Sequence, residues 1–481
     1  MTEPGFHHFV PHFTVDERAA VGRYARKRVP RKRQGEWVAS PDRPDPVVLL
    51  QEQETSRVPG LLPLRHERMG ASEFAFYRGT AIIMASDLAS QPSSGLIVQL
   101  CGDAHLSNFG LFAAPDRVPV FDLNDFDETN PGPFEWDVKR LTASFVLAAR
   151  DRGFDDAIGR SAAFQAAAQY RLSMAQFAGM SELDIWYDRV DPSTIEKWAS
   201  ANAKNASTKA VQKGFEKAQA RTMWTAVSKL TESVDGHRRF LDDPPVLVRV
   251  PDDSPPRELV LGAMDSYFDT LAPDRRALLE RYEIVDFGHK VVGVGSVGLL
   301  AWVLLLEGRD ESDVIVLQVK QAQKSVLEPY TGASAYPQSG QRVVEGQRLI
   351  QAASDSFLGW VTGKLGREYY VRQLRDMKWS PDPATFQPDD LVNYAKLCGH
   401  VLARAHARSG DAIALAAYMG QSASFDDAIA SFSMAYADLV KQDFAAFKDA
   451  VADGRLAGGA ASTELERYIE AMRGVALPQG N

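Results

Sequence analysis

The chain has 481 residues, which is enough for two or three compact units of about 150 residues each. Apolar residues make up 45% of the chain and charged residues 24%, a balance that excludes a wholly disordered or fibrous protein. The formal charge of −9 gives no reason to expect nucleic-acid binding, and two cysteines are too few for a disulfide framework or a cysteine-based zinc site.

The sequence carries no signal for export or membrane insertion. Its longest apolar run, residues 297–306, is about half the length of a spanning helix. The first residues lack the basic-then-apolar pattern of a secretory signal. We therefore expect a cytoplasmic protein with no membrane partner. A basic cluster at residues 23–33 is typical of a solvated surface, although it could also contact an anion.

Two short apolar segments, at residues 96–100 and 118–123, are rich in β-branched residues and are bounded by glycine and aspartate, so they are predicted strands. They flank a polar loop, and we expect them to form a hairpin-like element that presents this loop. After Trp136 the spacing of apolar residues in alanine-rich segments predicts helices for about a hundred residues.

A stretch rich in proline and aspartate at residues 242–256 cannot continue a helix and is the best candidate for a domain boundary. Beyond it, residues 280–378 have the pattern of a small unit of twisted antiparallel strands, with one inserted helix at residues 340–354. Helices are predicted again from Pro388 to Gly410 and through most of the tail.

The polar loop between the two predicted strands is the first candidate for chemistry. It carries Asp103 and Asn108, and Asp125 follows at the end of the next strand. Magnesium takes oxygen ligands and usually only one or two protein carboxylates, so these side chains suit Mg²⁺ and a hydroxyl nucleophile. The alternative is that Asp and Asn are present because they form good turns. The additional carboxylates Asp122 and Asp127 favour the functional interpretation.

The second candidate is the sequence GVGSVG at residues 293–298. Before a helix such a motif binds a dinucleotide, which would make the protein an oxidoreductase with a helix from Leu299 onward and a parallel sheet. The following residues instead have the pattern of a strand, and the next strand carries Lys320. A glycine-rich hairpin over phosphates, with a lysine on a nearby strand, is the protein-kinase arrangement.

In that arrangement Gly293, Gly295, Ser296 and Gly298 would bring backbone N–H groups close to phosphate oxygens. Lys320 would neutralise the α- and β-phosphates. The alternative for Lys320 is an edge-strand lysine that deters aggregation.

A kinase lysine needs a carboxylate that holds it extended. We expect Glu345, in the predicted helix, to take this role, with Glu328 as the alternative. His105, inside the polar loop, is expected to orient its catalytic neighbours. Arg78 could contact a phosphate or an acceptor anion, or it could form a buried salt bridge.

The order of these elements carries the most information. In an ordinary kinase the glycine loop, the lysine and the helix glutamate precede the hinge, the long helix and the catalytic loop. Here the catalytic and metal-binding candidates come first, at residues 102–127. The glycine loop, a hinge-like segment at residues 372–378 and the long helix come later. A circular permutation reproduces this order and is permissible if the original ends lie close together.

The loop CGDAHLSNFG resembles the HGDxxxxN loop of the aminoglycoside and choline phosphotransferase families, and NDFDETNPGPFEWDVKRL resembles their metal-binding segment and the start of the next helix. This resemblance implies that Asp103 is the catalytic base and that Asn108 and Asp125 bind Mg²⁺. It also implies that Asp137 anchors the catalytic loop.

Two positions depart from those families. Cys101 stands where they have histidine, and the sequence DFD replaces DFG, so Asp122 or Asp127 could share the metal. Over residues 20–450 the chain resembles the bacterial family described as domain of unknown function 2252.

Together these observations predict an α+β, bilobal protein-kinase-like fold that is circularly permuted, with a small antiparallel β lobe and a larger helical lobe. The expected parts are an N-terminal segment packed on the helical lobe (1–64), a catalytic part of the helical lobe (65–245), a nucleotide-binding β lobe (257–378), and a hinge, long helix and tail that return to the helical lobe (379–481).

The expected activity is phosphoryl transfer from ATP, with Mg²⁺, to a hydroxyl of a small-molecule acceptor. A pseudokinase that binds nucleotide without turnover and an enzyme that transfers AMP are the alternatives.

Overall fold

The computed structural model describes residues 13–194, 227–251, 254–291, 293–374, 380–458 and 463–472. Within these residues helices are combined with antiparallel strands, which confirms the mixed helix and strand composition expected from the sequence. Most of the hinge-like segment at residues 372–378 lies outside the described residues, as do the first twelve residues.

The described helices are α1 (Val15–Arg28), α2 (Pro46–Glu54), α3 (Leu62–Met69), α4 (Glu73–Arg78), α5 (Ala81–Ala89), α6 (Glu135–Asp151), α7 (Asp156–Phe177), α8 (Glu182–Tyr187), α9 (Pro255–Leu261), α10 (Met264–Phe268), α11 (Pro273–Leu279), α12 (Glu328–Thr331), α13 (Ser339–Ile350), α14 (Pro388–Ala407), α15 (Ala412–Met419), α16 (Ser424–Ala452) and α17 (Thr463–Met472). The described strands are β1 (Ile97–Leu100), β2 (Phe109–Ala113), β3 (Pro119–Leu123), β4 (Asn130–Pro133), β5 (Thr231–Val234), β6 (His237–Phe240), β7 (Leu247–Arg249), β8 (Glu283–Lys290), β9 (Ala301–Glu307), β10 (Val314–Ala322), β11 (Gly359–Thr362) and β12 (Glu368–Gln373).

One antiparallel sheet contains six of the described strands, in the order β11-β12-β10-β9-β8-β7. Its central strand β9 is buried along its whole length. Trp302 and Leu304 belong to the apolar cluster on one face, and Val303 and Leu305 to the cluster on the other, as the two-residue period of a strand requires. Helix α13 packs on β10, β11 and β12.

The hairpin β5–β6 covers the second face of this sheet. Phe240 shares an apolar cluster with Val303 and Leu305, and β6 packs on β8 and β9. The expectation of continuous helix is therefore wrong at residues 231–240. The reason is tertiary, because the exposed face of a sheet needs an apolar cover and a short hairpin supplies it here.

The two strands that flank the polar loop do not pair with each other, so the expected hairpin is wrong. Strand β1 pairs with β4, and β3 pairs with β2. Strands β2 and β3 are joined by a short turn, in which Arg117 has a positive φ of 65°. Strand β3 therefore pairs with the strand that directly precedes it in the chain. The loop instead connects two separate two-stranded sheets.

The core of the helical lobe is built around the contact between α7 and α14. The buried face of α7 is made of small residues such as Ala162, Ala163 and Ala166. A Cβ atom added at Gly399 on α14 would lie only 2.3 Å from the carbonyl oxygen of Ala166, so glycine is required at this crossing. Helices α6 and α16 complete the same apolar cluster.

Parts of both chain ends contact the β lobe. Leu61 and Leu64 pack in the apolar cluster of the six-stranded sheet, and so do Leu465, Tyr468 and Met472 of α17. Leu61 thus contacts the β lobe at the end of a segment whose earlier part packs on the helical lobe, where α1 contacts α15 and where Val47 and Leu50 lie in the apolar cluster. The C-terminal helix α17 contacts the β lobe, whereas we expected it on the helical lobe. Strand β7 also adds residues 247–249 to that lobe. None of the helices in the described ranges combines the length and the apolar composition that a membrane crossing requires.

Candidate active site

The 101–108 loop is anchored by a buried carboxylate on the next helix. Asp137, on the first turn of α6, accepts hydrogen bonds from the backbone N–H groups of Cys101 at 2.8 Å and Gly102 at 3.1 Å. The Nε2 atom of His406 lies 3.3 Å from the same carboxylate. Gly102 has a φ of 83°, and a Cβ there would lie 2.3 Å from the carbonyl oxygen of Glu128. Asp137 therefore holds the loop as the resemblance implies.

Asp103 is held by an arginine and opens into a cavity. Its Oδ1 atom lies 2.5 Å from Nε of Arg140, and Arg140 also donates to the carbonyl of Tyr77 at 2.8 Å. Burial raises the pKa of Asp103, and the Arg140 guanidinium acts in the opposite direction. Its side chain keeps 20% of its exposure, on the wall of a cavity of about 420 Å³. Asp103 is thus a fixed carboxylate with access to a ligand.

The imidazole ring of His105 lies beside Asp103 without a hydrogen bond to its carboxylate, although the backbone N–H of His105 donates to the carbonyl of Asp103 at 2.8 Å. The distance from its Nε2 atom to Oδ2 of Asp103 is 3.7 Å, and its ring packs edge-on against Phe74. Burial lowers the pKa of His105 well below its ordinary value, so the ring is neutral. In this structure the ring of His105 packs beside the Asp103 carboxylate and does not orient it through a hydrogen bond.

Asn108 and Asp125 present two oxygen ligands on one side of the site. The Nδ2 atom of Asn108 donates to the carbonyl of Asp103 at 2.7 Å, which leaves the amide oxygen outside that hydrogen bond. The backbone N–H of Asn124 donates to the carbonyl of Asn108 at 2.8 Å, so the two segments are joined. Burial raises the pKa of Asp125, and the charge of Asp127 adds to the effect. A cation beside Asp125 would relieve this cost.

The donor set fits Mg²⁺ that shares its coordination with a phosphate. In the described residues no three His, Cys, Asp or Glu side chains are arranged so that they could hold a metal ion together, so an all-protein metal site is not formed there. Magnesium commonly takes one or two protein oxygens and completes its octahedron with phosphate and water. The carboxylate of Asp125 and the amide oxygen of Asn108 suit that role.

Lys320 pairs with Asp127, across 193 positions of the chain. Asp127 also accepts a hydrogen bond from the hydroxyl of Tyr370 at 2.8 Å. Burial opposes the charge on both partners. Asp125 and Asp127 nevertheless raise the pKa of Lys320, while Lys320 and Tyr370 hold the pKa of Asp127 below its ordinary value. Asp127 is therefore committed to the lysine, and Asp125 is the better metal ligand.

The prediction that Glu345 or Glu328 pairs with Lys320 is wrong. Glu345 forms an ion pair with Arg348 at 3.0 Å on the same helix, and Glu328 lies 3.7 Å from Nε of Arg342. Helix α13 instead turns the buried Arg342 toward the site, where it donates to the carbonyl of Asp127 at 2.8 Å. The second aspartate of DFD supplies the carboxylate that we expected from the helix.

Asp122, the third aspartate of this region, has a structural role. Its carboxylate accepts hydrogen bonds from Arg404 at 2.5 Å and from the backbone N–H of Ala352 at 2.7 Å, and it is fully buried. It lines neither the cavity of about 420 Å³ nor an adjoining cavity of about 550 Å³. The choice among the three aspartates is thus Asp125 for a metal and Asp127 for the lysine.

The glycine loop, residues 293–298, leads into a strand. Residues 301–307 form β9 of an antiparallel sheet, so the helix and parallel sheet that a dinucleotide-binding fold requires are not formed. Gly293 and Gly298 have φ values of 69° and 95°, which favour glycine. Ser296 lies with its Oγ atom 3.4 Å from Asp127, and it thereby joins the loop to the lysine and aspartate pair.

Three arginines from residues 57–68 hold the glycine loop by its carbonyl groups. Arg57 donates to the carbonyl of Val297 at 2.6 Å. Arg65 and Arg68 donate to the carbonyls of Gly295 at 2.6 Å and Gly293 at 2.7 Å. In a trans peptide the N–H of the following residue points away from the carbonyl. The N–H groups of residues 294, 296 and 298 are therefore turned away from the arginines, which is the polarity a phosphate needs.

Sequence reasoning missed these arginines. They lie in a segment that carries no motif, and their partners are more than two hundred residues away. Alternating carbonyl acceptors cannot be read from side-chain periodicity. Arg140 and Tyr370 were missed for the same reason, although Arg140 stands in the segment NDFDETNPGPFEWDVKRL that the resemblance singled out.

The site residues meet at two adjoining cavities. The smaller cavity, of about 420 Å³, is lined by Asp103, Glu128 and the glycine loop. The larger, of about 550 Å³, is lined by Lys320, Arg372 and Leu374, among others. Except for Gly298 and Glu345, every site residue predicted from the sequence lines one or both of them.

Comparison with known proteins identifies the family of the chain. The family model described as an uncharacterized protein conserved in bacteria, DUF2252, matches residues 57–450. The match covers well over half of the chain, so the protein belongs to this bacterial family. No curated protein and no solved structure shows significant similarity to it.

Proposed function

We propose that the protein is an ATP- and Mg²⁺-dependent phosphotransferase with a circularly permuted, protein-kinase-like fold, acting on a hydroxyl of a small molecule. One observation carries the proposal: Lys320 is paired with Asp127, next to Asn108 and Asp125 and under the glycine loop, although these groups come from distant parts of the chain. A buried lysine and several carboxylates at two adjoining cavities are typical of a phosphate site rather than of a structural core.

The architecture agrees with the permuted order of elements. An antiparallel sheet carries the glycine loop and Lys320, and α13 packs on it. The helical lobe carries the 101–108 loop and Asp137. The glycine loop, the lysine and the catalytic loop of a kinase thus have counterparts at the cleft, in an order that a cut between the long helix and the catalytic loop would produce.

The larger cavity is suited to the nucleotide. Its polar wall includes Gln318, Lys320 and Arg372, which would face phosphate and base edges. Its apolar wall could enclose a purine ring; the apolar members are Phe112, Leu278, Ile315, Phe357 and Leu374. Asn108 and Asp125, between the two cavities, would hold Mg²⁺, which shields the charge of the phosphates.

The smaller cavity would then receive the acceptor. Asp103 faces it with one carboxylate oxygen fixed by Arg140. The carboxylate can therefore accept the proton of a bound hydroxyl while the oxygen of that hydroxyl attacks phosphorus. Positioning and charge neutralisation, without a covalent enzyme intermediate, would supply the catalysis. A volume of about 420 Å³ is suited to a small molecule rather than to a protein segment.

A thermal-shift and isotope experiment tests the proposal. Saturating Mg²⁺·ATP at a hundredfold excess over its Kd should stabilise the protein by about 2.7 kcal/mol. ATP labelled at the γ-phosphate or at the α-phosphate, incubated with the protein and a metabolite mixture, separates phosphoryl transfer from AMP transfer. We expect label from the γ position only. Absence of any nucleotide-dependent shift would reject the proposal.

The Asp103→Asn variant separates an enzyme from a pseudokinase. It should bind Mg²⁺·ATP within about threefold of the wild type and lose at least about a hundredfold of the turnover, because a general base contributes about 10²–10⁴. Asp116→Asn, which alters an exposed carboxylate paired with Arg189, is the matched control. Equal basal turnover in all three proteins, or none in the wild type despite binding, would favour the pseudokinase.

A further inference from the structure

Arg78, the last residue of α4, stands where the two cavities meet. Among the described residues only five line both cavities. Besides Arg78 they are two oxygen ligands and two residues of the glycine loop, namely Asn108, Asp125, Gly293 and Ser296. The other four are the groups assigned above to Mg²⁺ and the terminal phosphate. Arg78 is therefore at the place where a phosphoryl group would pass from one cavity to the other.

The guanidinium of Arg78 has no anion of its own. Its Nε atom is buried without a hydrogen-bond partner, and none of the described carboxylates lies within ion-pair distance of the side chain. Its guanidinium carbon lies 5.9 Å from the centre of the Phe74 ring. The buried salt bridge that the sequence left open is thus not formed within the described residues. Burial of an arginine without a partner is unfavourable, and a bound anion would remove that cost.

The buried cations of the cleft already have partners. Arg140 binds Asp103, Lys320 binds Asp127, and Arg57 and Arg65 bind carbonyls of the glycine loop. The 101–108 loop itself contains no lysine or arginine. The exposed Lys324 also lines the smaller cavity, but Arg78 is the only cation among the described residues that line both cavities, so a phosphoryl group beside Asn108 and Asp125 would meet it there.

We propose that Arg78 is a catalytic residue that binds the phosphoryl group during transfer. This inference rests on the proposed function. In the step, the acceptor oxygen forms a bond to the γ-phosphorus while the bond from that phosphorus to the β,γ-bridging oxygen breaks. The electron pair of the broken bond leaves with ADP, and the hydroxyl proton goes to Asp103. The Arg78 guanidinium contacts the equatorial oxygens, whose charge lies between the donor and acceptor cavities.

The test uses the full chain and needs no knowledge of the acceptor. The probes are Mg²⁺·ADP alone and Mg²⁺·ADP with aluminium fluoride, which imitates the phosphoryl group in transfer. In the wild type, aluminium fluoride should tighten ADP binding by at least about a hundredfold. Arg78→Gln should bind Mg²⁺·ADP within about twofold of the wild type and lose this tightening, because only the transferred group contacts Arg78.

Two further variants complete the design. Arg408→Gln is the matched control, since Arg408 is also half-buried, lies over an aromatic ring, and has a buried Nε without a partner, but lines neither cavity. It should retain the full tightening. Arg78→Lys keeps the charge without the planar fork and should recover part of the ATP hydrolysis that Arg78→Gln loses.

Each result decides the matter. Retention of the tightening in Arg78→Gln, or no tightening in the wild type, overturns the role of Arg78 and leaves the proposed function standing if Mg²⁺·ADP binds. Loss of Mg²⁺·ADP binding in both Arg78 variants also overturns it, since the side chain would then support the fold or the whole nucleotide. A wild type that binds no nucleotide overturns the proposed function and this inference together.

Discussion

The two loops that meet in the cleft are held by charges of opposite sign. A carboxylate, Asp137, binds the backbone N–H groups of the 101–108 loop, whereas three guanidinium groups bind the carbonyls of the glycine loop. The N–H and C=O groups of a trans peptide point in opposite directions. A segment whose N–H groups are bound by an anchor therefore turns the carbonyls of those peptides away from it, and a segment bound by its carbonyls turns the N–H groups away. The glycine loop thus turns the N–H groups of residues 294, 296 and 298 away from the arginines, and the 101–108 loop places the side chains of Asp103 and Asn108 at the cleft.

The anchors also differ in depth. Asp137 is buried in the core of the helical lobe, while Arg68 reaches the glycine loop from a half-buried position. We therefore expect the first anchor to stabilise the fold and the last to affect mainly the ligand. The following variants test that difference, beginning with the largest expected effect.

Asp137→Ala should reduce the free energy of unfolding by about 3–5 kcal/mol, because it leaves the N–H groups of Cys101 and Gly102 buried without acceptors. Chemical denaturation followed by circular dichroism measures this loss. Asp116→Ala, at an exposed ion pair, should lose less than about 1 kcal/mol. Equal losses in the two variants would remove Asp137 as the anchor of the loop.

Arg65→Met should destabilise the fold by about 2–4 kcal/mol and also weaken Mg²⁺·ATP binding. The arginine is fully buried, and it donates to the carbonyls of Gly295 and Gly79 and to the side chain of Gln53. Denaturation and isothermal titration calorimetry measure the two effects. Arg160→Met, at an exposed arginine, is the control. A destabilised protein with unchanged nucleotide affinity would show that the loop does not depend on Arg65.

The charge that fixes Asp103 should be visible in the pH dependence of ATP hydrolysis. Burial raises the pKa of Asp103, so the rate should fall on acidification with a midpoint above the ordinary aspartate value of about 3.9. A nearby cation lowers a carboxyl pKa, so removing Arg140 raises it. Arg140→Gln should move the midpoint upward by about one pH unit, and Arg140→Lys should move it less. A downward shift in Arg140→Gln would contradict the assignment of this limb to Asp103.

Arg68→Gln should have the smallest effect, a rise of about three- to tenfold in the Kd for Mg²⁺·ATP with less than about 1 kcal/mol of lost stability. It removes one hydrogen bond to Gly293 at the edge of the cleft. Calorimetry on this variant and on Arg276→Gln, which lies on the surface of α11, gives the comparison. An affinity unchanged in both would mean that the loop keeps its conformation without this arginine.

The sequence predicted those parts of the structure that depend on nearby residues. The strand after the glycine loop, helix α13 and helix α14 all follow from local periodicity and capping signals. Asp103, Asn108 and Asp125 could also be identified as candidate site residues, because they fall within two short motifs of the sequence. Membership of the bacterial family is confirmed by the family match.

The parts that depend on distant residues were not predictable. The choice of Asp127 over Glu345 as the partner of Lys320 depends on how α13 is rotated on the sheet, and that rotation is set by the burial of Arg342. The hairpin at residues 231–240 forms because a sheet face needs a cover, which no pattern within the hairpin records. In both cases a tertiary requirement overrides the local pattern.

The arginines at residues 57–68 have a consequence for how ligands would enter and leave. Lifting the glycine loop would break three guanidinium–carbonyl hydrogen bonds, of which those of Arg57 and Arg65 are worth about 1.5–3 kcal/mol each and the exposed one of Arg68 less. Opening of the glycine loop to admit a ligand is therefore energetically unfavourable in this protein. Ligands should instead enter and leave through the open sides of the two cavities, while the glycine loop keeps its position throughout turnover.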